Sequence, residues 1–518
     1  MNKIEEYKRE KDGLDVRQDL PRYAAQGWET ISDGDRERLK WLGVFFRRQT
    51  PGYFMMRLRI SNGLSNSEQF RTLAGIAEEF GKGFVDITTR QQVQLRWFKV
   101  DQVQDIWCRL EQVGLVSLQT GMDNIRNVVG CPAAGLTPEE LLDASPVVRQ
   151  FTRMFLGNRA YTNLPRKFNV AITGCREGCT HAATQDIALT PATRELGGQE
   201  VAGFNVWVGG KQGSGGFRPA SALDVFVSPQ EAAELCSYIT LAFRDHGFRE
   251  ARNKARLAFL IDAWGVERFR QEVQCRAGRP LPRAGQDVGA DFQRAPTKGA
   301  AGAGAPGLAP LRGRTDHIGI HPQKQPGLRY AGLVVPVGRI SARQMGEVAR
   351  LADAYGNGEI RLTTGQNLII PNISNDSLPE FRGEPLLEIL SHNASEVMKG
   401  LVSCTGMDYC HFALIETKEL ALQVARQLEE RVGETGPLSI HWSGCVNACG
   451  NHTVADIGLL GKRARVDGKV VDAVDVYLRG RLAAASQVPG QPLQNVPCDE
   501  LPQLLEQLIA ARAALEAV

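Results

Sequence analysis

A chain of 518 residues is too long for one simple core, so two or three domains are expected. Its net charge of +3 is close to neutral, which excludes a global drive toward nucleic acid but leaves room for a local basic face. No apolar run reaches the roughly 18 residues a membrane span needs, and eleven cysteines without a dense framework or an opening signal peptide suggest a reducing cytoplasm.

Residues 1–50 mix charges (Glu5, Glu6, Lys8, Arg9, Lys11) and end in the aromatic run Trp41 to Phe46, which suggests a partly helical arm packed on the body. Gly52 to Ile60 then reads as a strand, Asn62-Gly63 as a turn, and Ser67 as the cap of a helix running to about Phe80, with Gly81 just past its end. After Asp86 the pattern alternates. Val93, Leu95 and Trp97 fall on one face, and Arg90, Gln92, Gln94 and Arg96 on the other.

Further along, Arg126, Arg166 and Lys167 add basic positions, and Arg252, Lys254 and Arg256 make another basic cluster that is as suited to a surface as to a site. Cys131, Cys175 and Cys179 are too few for a four-thiolate cluster. They read as relics or core residues, with a second metal site or a redox pair as the alternative. Gly299 to Gly307 is a plain glycine- and alanine-rich stretch that cannot bury a core and reads as a linker.

The early unit then returns. Thr88-Thr89-x-Gln91 matches Thr363-Thr364-x-Gln366, and at the same offset Gly63, Gln69, Ala74 and Gly81 meet Gly338, Gln344, Ala349 and Gly356. Gly174-Cys175-x3-Cys179 matches Gly444-Cys445-x3-Cys449, with Asp186-Ile187 echoed by Asp456-Ile457. This is an internal duplication, and it divides the chain into an arm (1–50), a first half (51–279), a linker (280–327) and a second half (328–518). The halves have diverged: where the first has Arg90, Gln92, Gln94 and Arg96, the second has Gly365, Asn367, Ile369 and Pro371.

In the second half, Cys404 and Cys410 form C-x5-C, followed after a gap by Cys445 and Cys449 as C-x3-C. Four thiolates are what an iron–sulfur cube needs, whereas structural zinc usually takes tighter knuckles and a disulfide pairing needs an oxidising compartment. Four unrelated buried cysteines would share the spacing. Gly406, Gly444 and Gly450 beside them favour backbone folded closely around a cluster, with N–H groups turned to its sulfurs. The cluster is therefore expected in the second half and an anion-binding surface in the first.

Nearly all of the chain resembles the ferredoxin-dependent nitrite reductases of the siroheme nitrite/sulfite reductase family. The resemblance rests on Tyr53 to Arg59, Thr88 to Gln91, Arg126-Asn127, Pro165 to Asn169, His321 to Gln325 and the two cysteine pairs. It implies an α+β fold of duplicated ferredoxin-like halves related by a pseudo-twofold, multi-domain, with siroheme and a [4Fe–4S] cluster at the junction. It implies cluster ligation by Cys404, Cys410, Cys445 and Cys449, with the Cys449 sulfur doubling as the axial ligand of siroheme iron.

The resemblance further implies that Arg90, Arg126, Lys167 and Asn169 hold the substrate and that Arg166 contributes to cofactor binding. The reaction implied is six-electron reduction of nitrite to ammonia by a cytoplasmic monomer. A separate acidic ferredoxin would supply electrons, and Arg252 to Arg256 is a candidate for its docking patch. Sulfite reductases of the family carry a lysine where this chain has Asn169, which favours nitrite over sulfite. An iron–sulfur scaffold or regulator without siroheme is the reading from another class, but it leaves the cationic face at Arg90 to Arg96 without a purpose.

Overall fold

In a computed structural model of the protein, residues 2–213, 216–289, 316–478 and 492–516 are described; the glycine- and alanine-rich stretch 299–307 lies outside them. The duplication is visible element by element. In the first repeat, β1 (Val44–Phe46), β2 (Phe54–Arg57), β3 (Leu64–Asn66), β4 (Phe84–Ile87) and β5 (Val93–Phe98) surround the helix Ser67–Phe80. They are followed by β6 (Ile125–Val129), β7 (Phe168–Ile172), β8 (Ile187–Leu196), β9 (Gln199–Val208), β10 (Ser221–Val227) and the short β11 (Gln286–Asp287).

The second repeat begins before the expected boundary at 328, because β12 (Gly319–Pro322), placed in the linker by sequence, pairs with β13 (Leu328–Leu333); β14 (Arg339–Ser341), β15 (Glu359–Leu362) and β16 (Leu368–Ser374) follow around the helix Ala342–Tyr355. It then adds β17 (Leu401–Ser403), β18 (Ile440–Ser443), β19 (Ile457–Val466), β20 (Lys469–Leu478) and β21 (Leu493–Pro497). Backbone strain is duplicated too. Asn62 and Val337, Gln91 and Gln366, Trp97 and Asn372, and His181 and Asn451 occupy equivalent positions with positive φ.

The repeats are interlocked. The first sheet runs β1-β2-β5-β4-β14 and the third β12-β13-β16-β15-β3, so each repeat lends one strand to the other's sheet. Ile340 pairs with Val85, and Ser65 with Ile360. One hydrophobic core therefore spans both repeats, from Val16, Leu20 and Tyr23 of the arm through Phe70 and Leu95 to Met345, Leu362 and Leu390. Two further cores fill the sheets β10-β9-β8-β7-β6 and β17-β18-β19-β20-β21, each with a parallel start and an antiparallel finish.

The helix Ser67–Phe80 forms where expected, but its cap is Asn66, whose side chain accepts from Gln69 N at 2.9 Å; Ser67 is the first helical residue. Its counterpart closes a capping box between Ser341 and Gln344.

Candidate active site

The site is built from the turns that end the central strands. Cys404 follows β17, and its N–H donates to the Trp442 carbonyl at 3.0 Å. Cys445 and Cys449 lie in the turn after β18, where Ala448 N donates to Cys445 O at 3.2 Å and Ala448 has φ 54. Glycine is required at 450 because a Cβ there would collide with the Trp442 carbonyl. The Gly444 N–H donates to Cys404 Sγ at 3.2 Å, and Gly406 N–H points to the same sulfur, so two of the glycines act as expected from their positions.

Burial raises the Cys404 thiol, with the Cys449 charge adding to it. Burial pushes the Cys445 thiol up to about 12, reinforced by Cys449, Cys410 and Cys404. The Cys445 sulfur thus lies within electrostatic reach of the other three.

Across from the cysteines stand the cations of the first repeat. Arg90 occupies the turn between β4 and β5, shaped by Thr88 Oγ1, which accepts from Arg90 N and Gln92 N at 3.2 Å each. The adjacent Thr89 Oγ1 donates to the Cys449 carbonyl at 2.9 Å, which locks this turn onto the cysteine loop. Arg126, on β6, donates to the Thr120 and Met122 carbonyls, and its Nε has no partner. Lys167 and Asn169 bracket the start of β7. Asn169 is buried with its Oδ1 unpartnered, while its backbone N donates to Asp186 Oδ2 at 2.8 Å.

The electrostatics agree with a deep cleft. Arg90, Arg126 and Lys167 each retain accessible surface, yet burial is the largest influence on all three and lowers each from its ordinary value. Mutual repulsion deepens the effect. Lys167 is pulled well below the usual lysine range by burial, then by Arg256 and Arg90, with Arg126 adding to them; the Cys449 charge opposes this. Cys449 likewise opposes the lowering of Arg90, so both cations share a space with that sulfur.

Two arginines missed in the sequence belong to the same wall. Arg47 and Arg57 are lowered to about 10 and about 9 by burial, and both feel the Cys449 charge. Each stacks on Phe45, at 5.6 Å and 4.9 Å, and their Nε atoms are unpartnered. The only available clue was an arginine placed just after the aromatic run and another inside the Tyr53 to Arg59 strand.

Other sequence expectations need correction. Arg96 does not belong to an open cationic face: its Nε donates to Asp86 Oδ2 at 2.7 Å and its Nη2 to Gln94 and Thr405. Gln92 is spent on the Leu58 carbonyl. Asp86 gathers Arg96, Arg339 and Lys418 around itself. Burial alone would raise its carboxyl, but these three cations hold it well below the carboxylate range.

Arg252 to Arg256 does not form a docking patch either. Arg252 forks onto Asp123 at 2.8 and 2.9 Å, and buried Arg256 forks onto Asp186 at 2.6 and 2.9 Å, leaving only Lys254 exposed. Arg166 is half-buried, 3.9 Å from the same Asp123, and its charge adds to the repulsion on Arg126. The His321 to Gln325 motif is a clamp between repeats, in which Lys324 pairs with Glu140 and Gln325 Nε2 donates to Gly135 O.

Unpartnered arginine nitrogens and an excess of buried cations over carboxylates are what a polycarboxylate ligand would satisfy. The residues present therefore fit a group that is large, anionic and bound beside Cys449.

A profile described as the nitrite/sulfite reductase ferredoxin-like half domain matches residues 46–113 and 321–386, the two interlocked units. One described as the nitrite and sulphite reductase 4Fe-4S domain matches 121–281, the stretch holding Cys131, Cys175 and Cys179. The chain is 44% identical to the ferredoxin–nitrite reductase of Synechococcus elongatus, over 100% of this chain and 98% of that one. It is 39% identical to the assimilatory ferredoxin-dependent nitrite reductase of Haloferax mediterranei, over 99% and 89%.

It is also 42% identical to the chloroplastic ferredoxin–nitrite reductase of Spinacia oleracea, over 91% and 77%. The NirA protein of Mycobacterium tuberculosis superposes with a TM-score of 0.86 at 29% identity, over 98% of this chain and 93% of that one. Repeat architecture, cysteine loops and full-length relatives agree: the chain belongs to the nitrite and sulfite reductase family.

Proposed function

We propose that the chain is an assimilatory ferredoxin-dependent nitrite reductase that converts nitrite to ammonia with six electrons, using siroheme coupled through Cys449 to a [4Fe–4S] cluster on Cys404, Cys410, Cys445 and Cys449. The observation that carries this reading is that the Cys449 charge reaches both Arg90 and Lys167, so thiolate and anion-binding cations face one another across a single cleft. Siroheme, when bound, supplies an iron that holds nitrite and receives electrons from the cluster, together with eight carboxylates.

The chain's own residues do the rest. Arg47, Arg57 and Arg126 have the burial and the free nitrogens to grip carboxylates. Arg90 and Lys167 stabilise negative charge on the substrate's oxygens as it develops, in a water-poor space where each contact counts for more. Lys167 Nζ holds its proton loosely and can give it to a departing oxygen. Asn169 offers a neutral amide, which suits a monoanion better than a further ammonium would.

The donor's approach is supported by an exposed groove lined by Tyr53, Lys82, Trp97 and Lys99. Lys82 Nζ sits 3.6 Å over Trp97, and Trp97 packs 5.8 Å from Tyr409, the neighbour of Cys410. Basic residues at a short aromatic path to the cluster loop suit an acidic one-electron donor. No helix of the described residues is long and apolar enough to cross a membrane. We place the enzyme in the cytoplasm, as a monomer.

The test is the spectrum and specificity of the purified holoenzyme. Siroheme bands and faster turnover of nitrite than sulfite are expected, and Asn169→Lys should move the ratio of kcat/KM values toward sulfite by about tenfold. A protein with an iron–sulfur spectrum and no siroheme bands would be a scaffold, and a native preference for sulfite would reverse the substrate assignment.

A further inference from the structure

The pseudo-twofold places a second sulfur-rich site opposite the first, and its residues take no part in nitrite reduction. Cys175 and Cys179 are the repeat equivalents of Cys445 and Cys449, and the packing around them is equivalent as well. Thr364 Oγ1 donates to the Cys179 carbonyl at 2.8 Å, just as Thr89 does to Cys449 at 2.9 Å. Here the loops approach more tightly. The ligand atoms of Cys131, Cys179 and His317 all lie within 4.8 Å of one another, so some point lies no more than about 2.8 Å from all three, close to zinc's bond lengths. The Cys131 thiol also touches Cys175, whose own sulfur lies outside that group of three and would have to turn toward it to serve as a fourth ligand.

We propose that Cys131, Cys175, Cys179 and His317 bind a single zinc ion that fastens the two repeats together. Cys131 Sγ and His317 Nε2 are 3.9 Å apart, near the separation of about 3.6 Å that tetrahedral Zn–S and Zn–N bonds subtend. Cys131, Cys175 and His317 are buried to 1%, 1% and 3% exposure, which suits a closed structural site. Three thiolates and one imidazole form a donor set typical of zinc.

The histidine is held in place for the task. Asp316 and His317 both adopt left-handed backbone, with φ 53 and 61, a strain that needs over-determination to persist. Asp316 supplies it: its carboxylate accepts from Thr363 Oγ1 and from Asn367 Nδ2. Tyr330 Oη lies 3.5 Å from His317 Nδ1, an outer-shell partner that orients the ring while Nε2 faces Cys131 Sγ. On binding, three thiol protons leave as three Zn–S bonds form, and neutral imidazole gives its Nε2 lone pair. A metal here joins Cys131, Cys175 and Cys179 of the first repeat to His317 of the second, a cross-link independent of the shared core.

The inference goes beyond the nitrite reductase reading, and zinc and iron report on the two separately. Elemental analysis of the holoenzyme should find stoichiometric zinc beside its iron, and zinc-edge X-ray absorption should show a sulfur shell near about 2.3 Å with one nitrogen near about 2.0 Å. The double variant Cys179→Ser/His317→Ala should lose zinc and keep siroheme and cluster absorption. Because that variant could misfold, the absorption measurement on the native holoenzyme decides by itself. Holoenzyme free of zinc after growth with ample zinc overturns the proposal. So does a disulfide between Cys131 and either neighbour in alkylated protein, or loss of the iron–sulfur cluster with retention of zinc in the double variant.

Discussion

At the scale of single residues, what matters is which cations have a counter-charge. Arg96 and Arg256 look the same as Arg90 in sequence, but Asp86 and Asp186 neutralise them. Those partners were unreadable because pairing depends on tertiary approach; Asp186 lies 70 residues from Arg256. Lys167 is different. Among the described residues no carboxylate pairs with it, and burial followed by Arg256 and Arg90 lowers it well below 10.5. A lysine with a depressed pKa stays protonated only up to that lower value, so any step using its proton fades as pH rises through it.

The kcat–pH profile for nitrite should therefore fall on an alkaline limb lying below 10.5. Lys167→Arg should move the limb upward, and Lys167→Met should remove it while lowering kcat about a hundredfold. A profile with the same limb in Lys167→Met would assign the proton to another group. Cys404, Cys410, Cys445, Cys449, Arg90 and Lys167 all stood out as motifs. Arg47 and Arg57 were not, because an arginine beside an aromatic run reads as surface until its depth is known.

At the scale of elements, the repeat offset revealed which strands and helices correspond, and the two N-capped helices lie where spacing put them. The exchange of β3 and β14 was not legible. Alternation records which face of a strand is buried, not which strand lies beside it. That exchange creates the Asp86 junction, where β4 of one repeat meets Arg339 on β14 and Lys418 of the other. Asp86→Asn would leave Arg96, Arg339 and Lys418 buried without their carboxylate, a loss of about 3–5 kcal/mol of stability.

The sign against pH follows from the direction of the shift. The folded carboxyl is depressed below its ordinary value of 3.8, so its contribution is complete above that pH and is lost only as pH falls below it. Urea unfolding at neutral pH checks the loss, and a variant within about 1 kcal/mol of the native protein would show that the junction adds nothing to folding.

At the scale of the whole molecule, the repeats have divided the chemistry between them, and the price is a cleft charged against itself. Arg47, Arg57, Arg90 and Lys167 all feel the Cys449 charge, Arg126 stands beside Arg57 and Arg90, and every one of the five is pulled below its ordinary pKa by burial. A chain lacking siroheme must bear that repulsion. Its unfolded state binds protons more readily than its folded state, so cofactor-free protein gains stability as pH rises from neutral toward 10. A polycarboxylate gripped by Arg47, Arg57 and Arg126 reverses the balance for those three and returns them toward their ordinary range, so the loaded enzyme should show less of this slope; Lys167, on the substrate side and lowered first by burial, stays depressed.

Binding to the folded state alone adds about 4 kcal/mol at a thousandfold excess of ligand over Kd. An iron-free tetrapyrrole octacarboxylate should therefore raise the Tm of the cofactor-free chain, and Arg57→Gln/Arg126→Gln should weaken that rise while raising the unliganded Tm. The second half of that expectation separates charge from packing. If the two cations merely fill space, removing them lowers the unliganded Tm; if the cleft is built to await an anion, removing them relieves it.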